Sequence, residues 1–218
     1  MAAFSTSRHV VVIAIGYLVS LLMFSRLPGF TSGGGPLSAR IEFALVLPTA
    51  AAVIYFVVRR VWARDSVRDT EGAFEPTYSA IVFAVMLFLT AIHVMLMTTL
   101  AGVITERGWQ ARVTIVLFGL LMIRIGDLLP RTRPNLAVGI RTPGTLTNRC
   151  LWVQTHRMAG YVTVGLGMVF ALSGAFLSEP IFSRVMGSAM LGAAGLFVVS
   201  YGVYSLRLRK GPAEAGHY

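Results

Sequence analysis

Long apolar stretches alternate with short polar ones along most of this chain. A helix needs roughly 20 mostly apolar residues to cross the hydrocarbon core of a bilayer. Six stretches qualify, at about 9–27, 41–61, 79–104, 113–129, 158–178 and 186–206, the fourth being the shortest. Backbone groups in lipid must bond internally, so each stretch is predicted to be a helix despite its β-branched residues. The first follows Arg8 as a signal peptide would, but it ends in "FSRLPGF" without a small-residue cleavage site. It is therefore read as a retained span.

Composition agrees. Hydrophobic residues make up 56% of the 218, charged residues 13%, and the mean hydropathy is +0.73. Soluble domains sit near about 45–50% apolar and 25% charged. The expectation is an all-α polytopic membrane protein, one domain over 1–218, built as a bundle of six transmembrane helices.

Charge orients it. Arg8, Arg59, Arg60, Arg64, Arg68, Arg124, Arg131, Arg133, Arg141, Arg149, Arg157, Arg207, Arg209 and Lys210 fall on one side of the six-span layout. Arg26, Arg40, Arg107, Arg112 and Arg184 fall on the other. Cytoplasmic loops carry the excess of Lys and Arg. Both termini, and the polar loop after the fourth span, are expected in the cytoplasm, with the chain in the cytoplasmic membrane. The net charge of +10 is spread over separate loops. It signals topology and attraction to anionic lipid rather than direct nucleic-acid binding. Cys150 is alone, which excludes an intramolecular disulfide and fits a reduced cytoplasmic thiol.

"PGFTSGGGP" reads as a flexible exterior linker, Arg59–Thr77 as a solvated cytoplasmic loop, and the tail 210–218 as disordered. Gly167, Ala171 and Ala175 recur every four residues on the fifth span, and Ser188 with Gly192 and Ala189 with Ala193 on the sixth. Small residues at this spacing let helices approach closely in lipid, so these two spans are expected to pack together.

Catalytic patterns are missing. The sequence has no H-E-x-x-H, metal-spaced Cys/His cluster, P-loop or G-x-S-x-G, so no catalytic residue, metal or cofactor is assigned and no enzyme is expected. The intramembrane polar residues are His93, Arg124 and Asp127. His93 could serve a proton pathway or bond a neighbouring helix. The second reading is favoured because its span holds no other His, Asp or Glu. Arg124 and Asp127, three apart, can pair on one helix face.

One stretch departs from the greasy pattern. "NLAVGIRTPGTLTNRCLWVQTHRMAGY", from Asn135 to Tyr161, is dense in Thr, Arg and Asn. Pro130 and Pro134 stop the fourth helix, Gly139 permits a tight turn, and Thr147 or Asn148 can cap the next segment. Trp152 and His156 then share a helix face, predicting an interfacial helix that runs into the fifth span. The candidate binding residues are Asn135, Gly139, Ile140, Arg141, Thr142, Pro143, Thr145, Trp152, Thr155, His156 and Arg157.

The segment 126–160, reading "GDLLP", "PNLAVGIRTPGTL" and "WVQTHRMAGY", resembles the hallmark of the SdpI family of bacterial membrane proteins. Two positions depart from the family pattern: Gly144 stands where the family usually has Trp, and Asp127 where it often has Asn. The resemblance implies immunity against a membrane-active peptide toxin, sequestration of a small transcriptional repressor by the cytoplasmic loop, or both. The partners would be the lipid bilayer, that repressor and the extracellular peptide. Two other classes stay open: a small transporter with His93 in its pathway, and an enzyme acting on a lipid head group.

Overall fold

The computed structural model describes residues 6–27, 37–64, 75–104 and 108–177, with scattered positions between 187 and 206. Six α-helices are bounded among the described residues: α1 (Thr6–Met23), α2 (Leu37–Ala63), α3 (Glu75–Leu100), α4 (Trp109–Leu128), α5 (Pro143–Thr147) and α6 (Arg149–Phe176). Short 3-10 turns at Phe24–Arg26 and Leu129–Arg131 end α1 and α4. Among the described residues, five helical stretches are long and apolar enough to cross a membrane: Ser7–Arg26, Arg40–Ala63, Pro76–Leu100, Trp109–Arg131 and Arg149–Phe176. The protein is all-α and polytopic.

Three expected boundaries move. The fourth span is 23 residues long, because α4 begins at Trp109 after Gly108, whose φ of +84° suits glycine. The fifth begins at Arg149 rather than near 158. Asn148 accepts a hydrogen bond from the Leu151 N–H at 3.0 Å, so the interfacial segment and the span become one 28-residue helix. The expected loop at Arg59–Thr77 shrinks, since α2 runs to Ala63 and α3 starts at Glu75. Most of the sixth span, the linker 28–36 and the tail 210–218 lie outside the described residues, although the positions described between 187 and 206 are helical.

Helices α1, α2 and α3 pack together, with α1 and α3 parallel and α2 antiparallel to both. At one end Val12, Tyr55, Trp62, Tyr78, Val82 and Met86 form a buried cluster. Trp62 stacks on Tyr78 at 4.3 Å, and the Tyr78 hydroxyl donates to the Val58 carbonyl at 2.8 Å. Leu27, Ala44 and Met97 close the other end.

The second half is held by backbone contact. Helix α4 runs antiparallel to α6, with glycines seven apart on each: Gly119 and Gly126 on α4, Gly160, Gly167 and Gly174 on α6. A Cβ on Gly167 would lie 2.6 Å from the Gly119 carbonyl oxygen, and one on Gly126 2.8 Å from that of Gly160. Neither position has room for a methyl group. A seven-residue repeat returns to nearly the same helix face, so the seam extends along both helices. Phe118 stacks on Phe170 at 5.7 Å beside it.

The small-residue face of the fifth span, expected against the sixth, has α4 as its partner. The Gly167–Ala171 face meets α4: a Cβ on Gly119 would sit 2.5 Å from the Ala171 nitrogen. At Gly192 an added Cβ would meet nothing within 4 Å. A period-four stripe identifies a close-packing face but not its partner.

Gly167→Ala should therefore force the two backbones apart. Overpacking of this kind costs about 1–3 kcal/mol. The melting temperature in detergent should fall, while Gly165→Ala, where a Cβ meets nothing within 4 Å, should leave it unchanged or slightly higher. Equal melting of the two variants would break the glycine-seam account.

Candidate functional site

The connection between α4 and α6 folds into a compact loop over its own ends. Asn135 is fully buried at its centre. Its Oδ1 accepts from the backbone N–H groups of Ala137 (2.8 Å) and Val138 (2.7 Å). Its Nδ2 donates to the carbonyls of Arg133 (2.7 Å) and Val138 (3.1 Å). One side chain thus satisfies four backbone groups that no helix serves.

His156 is the second fixed point. Its Nε2 accepts the Ile140 N–H at 2.9 Å, and its Nδ1 lies 2.9 Å from the Trp152 carbonyl. An acceptor at Nε2 and a donor at Nδ1 define a neutral imidazole with its proton on Nδ1. The ring stacks on Trp152 at 3.9 Å, and the Trp152 indole donates to the Thr132 carbonyl at 3.0 Å. Gly139 has φ +109°, and a Cβ there would lie 2.3 Å from His156 Nε2. Both the backbone conformation and the imidazole therefore require glycine.

Thr142 and Thr145 close the loop's far side. The Thr142 hydroxyl accepts from Thr145 N–H at 3.1 Å, and the Thr145 hydroxyl accepts from Thr142 N–H at 2.8 Å. This reciprocal cap starts α5, with Pro143 at its first position. The buried Thr145 hydroxyl also donates to the Ile140 carbonyl at 2.8 Å. Thr142 Oγ1 lies 2.8 Å from the Tyr201 hydroxyl, tying the loop to the sixth apolar stretch.

The loop also docks. Ala137 and Val138 pack against the buried cluster of α1, α2 and α3. Beside that cluster His9, fully buried, bonds the Ser79 carbonyl through Nε2 at 3.1 Å, and Arg8 donates to the Ser79 hydroxyl at 2.7 Å. One short loop therefore touches both halves of the molecule.

The candidate residues divide by exposure. Asn135, Thr145, Trp152, Thr155 and His156 are buried, and the Thr155 hydroxyl has no hydrogen-bond partner among the described residues. Arg141, Pro143 and Arg157 are exposed. Arg141 donates to the Leu136 carbonyl, and Arg157 donates to the Tyr161 hydroxyl at 3.3 Å. Gly139, Ile140 and Thr142 are half-buried, so in this conformation a partner meets the exposed set first. Sequence reasoning missed the docking of Ala137 and Val138, and it missed Tyr201. The first reads as ordinary aliphatic loop sequence, and the second lies in another span.

The intramembrane residues lie elsewhere. His93 is buried between α1 and α3, with Nε2 2.9 Å from Ser20 Oγ. Ser20 Oγ also bonds the Ala44 carbonyl, which lacks its helical donor because Pro48, four residues on, has no N–H. His93 is thus bonded to a neighbouring helix, while its Nδ1 has no partner among the described residues. Arg124 and Arg131 both pair with Asp127, at 3.2 and 2.9 Å. No group of three or more His, Cys, Asp or Glu among the described residues is placed to hold a metal.

A multi-pass helical membrane protein, with one structured polar loop linking two packed halves, is the class that this fold and site define. Residues 131–205, about a third of the chain, match the model of the SdpI/YfhL protein family. The chain is also similar to the protein named "Immunity protein SdpI" of Bacillus subtilis (strain 168). The two are 19% identical over 204 residues, covering 89% of this chain and 93% of that protein. No solved structure matches.

Two substitutions test the loop. Asn135→Ala leaves buried backbone donors and acceptors unpaired and should cost the loop roughly 2–4 kcal/mol. Hydrogen exchange of the Ala137 and Val138 amides should accelerate while that of α3 is unchanged. Gly139→Ala should push His156 from the Ile140 N–H and speed exchange at Ile140. Unaltered protection in both variants would show that these side chains do not hold the loop.

Proposed function

We propose that this chain acts without chemistry of its own, as an immunity-type protein of the cytoplasmic membrane with a signalling loop. Its spans exclude or sense a membrane-active peptide, and its cytoplasmic loop sequesters a small transcriptional repressor. The docking of the loop carries this reading. Ala137 and Val138 rest on the α1–α3 cluster while Trp152 and His156 fix the loop to α6 and Asn135 ties the loop to itself. A peptide that displaces α1–α3 changes the seat of the loop, and with it the setting of the exposed Arg141 and Arg157. The fourteen-to-five distribution of basic residues, read from the positions given above, supports a cytoplasmic loop and cytoplasmic termini. The similarity to the immunity protein of Bacillus subtilis supports the immunity role.

The test uses bacteria lacking a family member, with and without this chain, challenged with secreted membrane-active peptides. Expression should raise survival against at least one peptide. Asn135→Ala should lose that protection at equal membrane abundance. A photocrosslinker at Arg141 should capture a small DNA-binding protein from the cytoplasm, and Arg141→Glu should reduce membrane retention of that protein without altering melting. Equal survival with and without the chain, together with no cytoplasmic protein crosslinked, would overturn the reading.

A further inference from the structure

We propose that Arg124 and Arg131, yoked by Asp127, form a binding site for the phosphate of an anionic phospholipid on the loop-bearing side of the membrane. Positions 124, 127 and 131 share one face of α4 and the turn that follows it. Arg124 Nη1 donates to Asp127 Oδ2 at 3.2 Å, and Arg131 Nη2 donates to Asp127 Oδ1 at 2.9 Å. Each guanidinium spends one terminal nitrogen on the carboxylate and keeps further donors for another acceptor. The Arg124 and Arg131 side chains are 52% and 59% exposed. Exposed ion pairs add little stability, so the consequence of the triad is positional. One carboxylate holds two like-charged forks on one surface and leaves a net positive charge.

The same face supplies the identity of the ligand. Leu120, one turn deeper into the span than Arg124, is 53% exposed. A cationic pair directly above an apolar, outward-facing surface matches a phosphate joined to acyl chains. An acidic protein segment would match the arginines but not the leucine below them. Arg124 lies within the span, and its stem can run along the helix so that its head reaches the interface beside Asp127. Planar forks suit phosphate oxygens, which accept two parallel bonds from one guanidinium.

Native mass spectrometry of the intact chain in nonionic detergent can test this. Phosphatidylglycerol, phosphatidylcholine and inorganic phosphate would be titrated separately. Wild type should retain phosphatidylglycerol preferentially over both. R124Q/R131Q should weaken that binding at least about fivefold, as expected for loss of charge-assisted bonds, with unchanged melting in the absence of lipid. If that variant does not fold, R124K/R131K keeps the charge and should still weaken binding about threefold through loss of the fork. Wild-type affinity in either folded variant would overturn the proposal. So would inorganic phosphate binding as tightly as phosphatidylglycerol, or an acidic peptide occupying this face where phosphatidylglycerol does not.

Discussion

Helices α4 and α6 meet backbone to backbone, and much of the rest follows from that contact. Gly126 meets Gly160 near the end of α4, but α6 begins at Arg149, about three turns before Gly160, so its first turns project beyond α4. The intervening segment folds back along those first turns, through the Trp152 indole on the Thr132 carbonyl and the Ile140 N–H on His156, and reaches the α1–α3 cluster with Ala137 and Val138. A loop folded so tightly buries backbone groups that no helix serves, and each needs a partner. Asn135, Thr145 and His156 provide those partners. The polarity of this stretch in an otherwise apolar chain therefore serves the buried backbone of the loop, whatever the exposed residues go on to bind.

The other half solves the same problem with fewer groups. Pro48 removes one helical donor in α2 and leaves the Ala44 carbonyl open. Ser20 on α1 reaches that carbonyl, and the Ser20 oxygen meets His93 on α3. Three helices are thus tied by a short polar chain where water is scarce. A hydroxyl has one proton. With that proton directed at a carbonyl, Ser20 can only accept from His93, which places the imidazole proton on Nε2. A proton pathway through His93 would have to break this bond, and with it the satisfaction of the Ala44 carbonyl.

The first five spans were legible in the sequence because lipid imposes length and composition on them directly. The loop was legible as a place, since an apolar chain concentrates polar residues only where backbone needs partners. The tasks of its residues were less legible. Asn135 and Arg141 look alike as polar loop positions, yet one is buried on four hydrogen bonds and the other is exposed. Gly139 was read as a turn residue, but the reason that excludes every side chain there is His156, sixteen positions on. The partner of the Gly167 stripe was misread because period-four spacing holds no information about the facing helix. The matching Gly119 and Gly126, seven apart on α4, were the missing signal.

Three attachments hold the loop: its ends on the α4–α6 seam, Ala137 and Val138 on the α1–α3 cluster, and Thr142 on Tyr201. Gly144 sits among them, with a Cβ there 3.1 Å from Leu151 Cδ2 and 3.8 Å from the Tyr201 hydroxyl. A large side chain at this position would have to displace Leu151 or pass beside Tyr201. Glycine leaves the Thr142–Tyr201 bond in possession of that space. A ligand can shift such an arrangement only by binding one position of the parts more tightly than another. Anything that grips α1–α3 acts on the loop tip, and anything that grips the sixth stretch acts through Tyr201. The buried core of the loop, by contrast, has no exposed group through which a ligand could act without first opening it. In this chain, control of the loop therefore belongs to its attachments rather than to its interior.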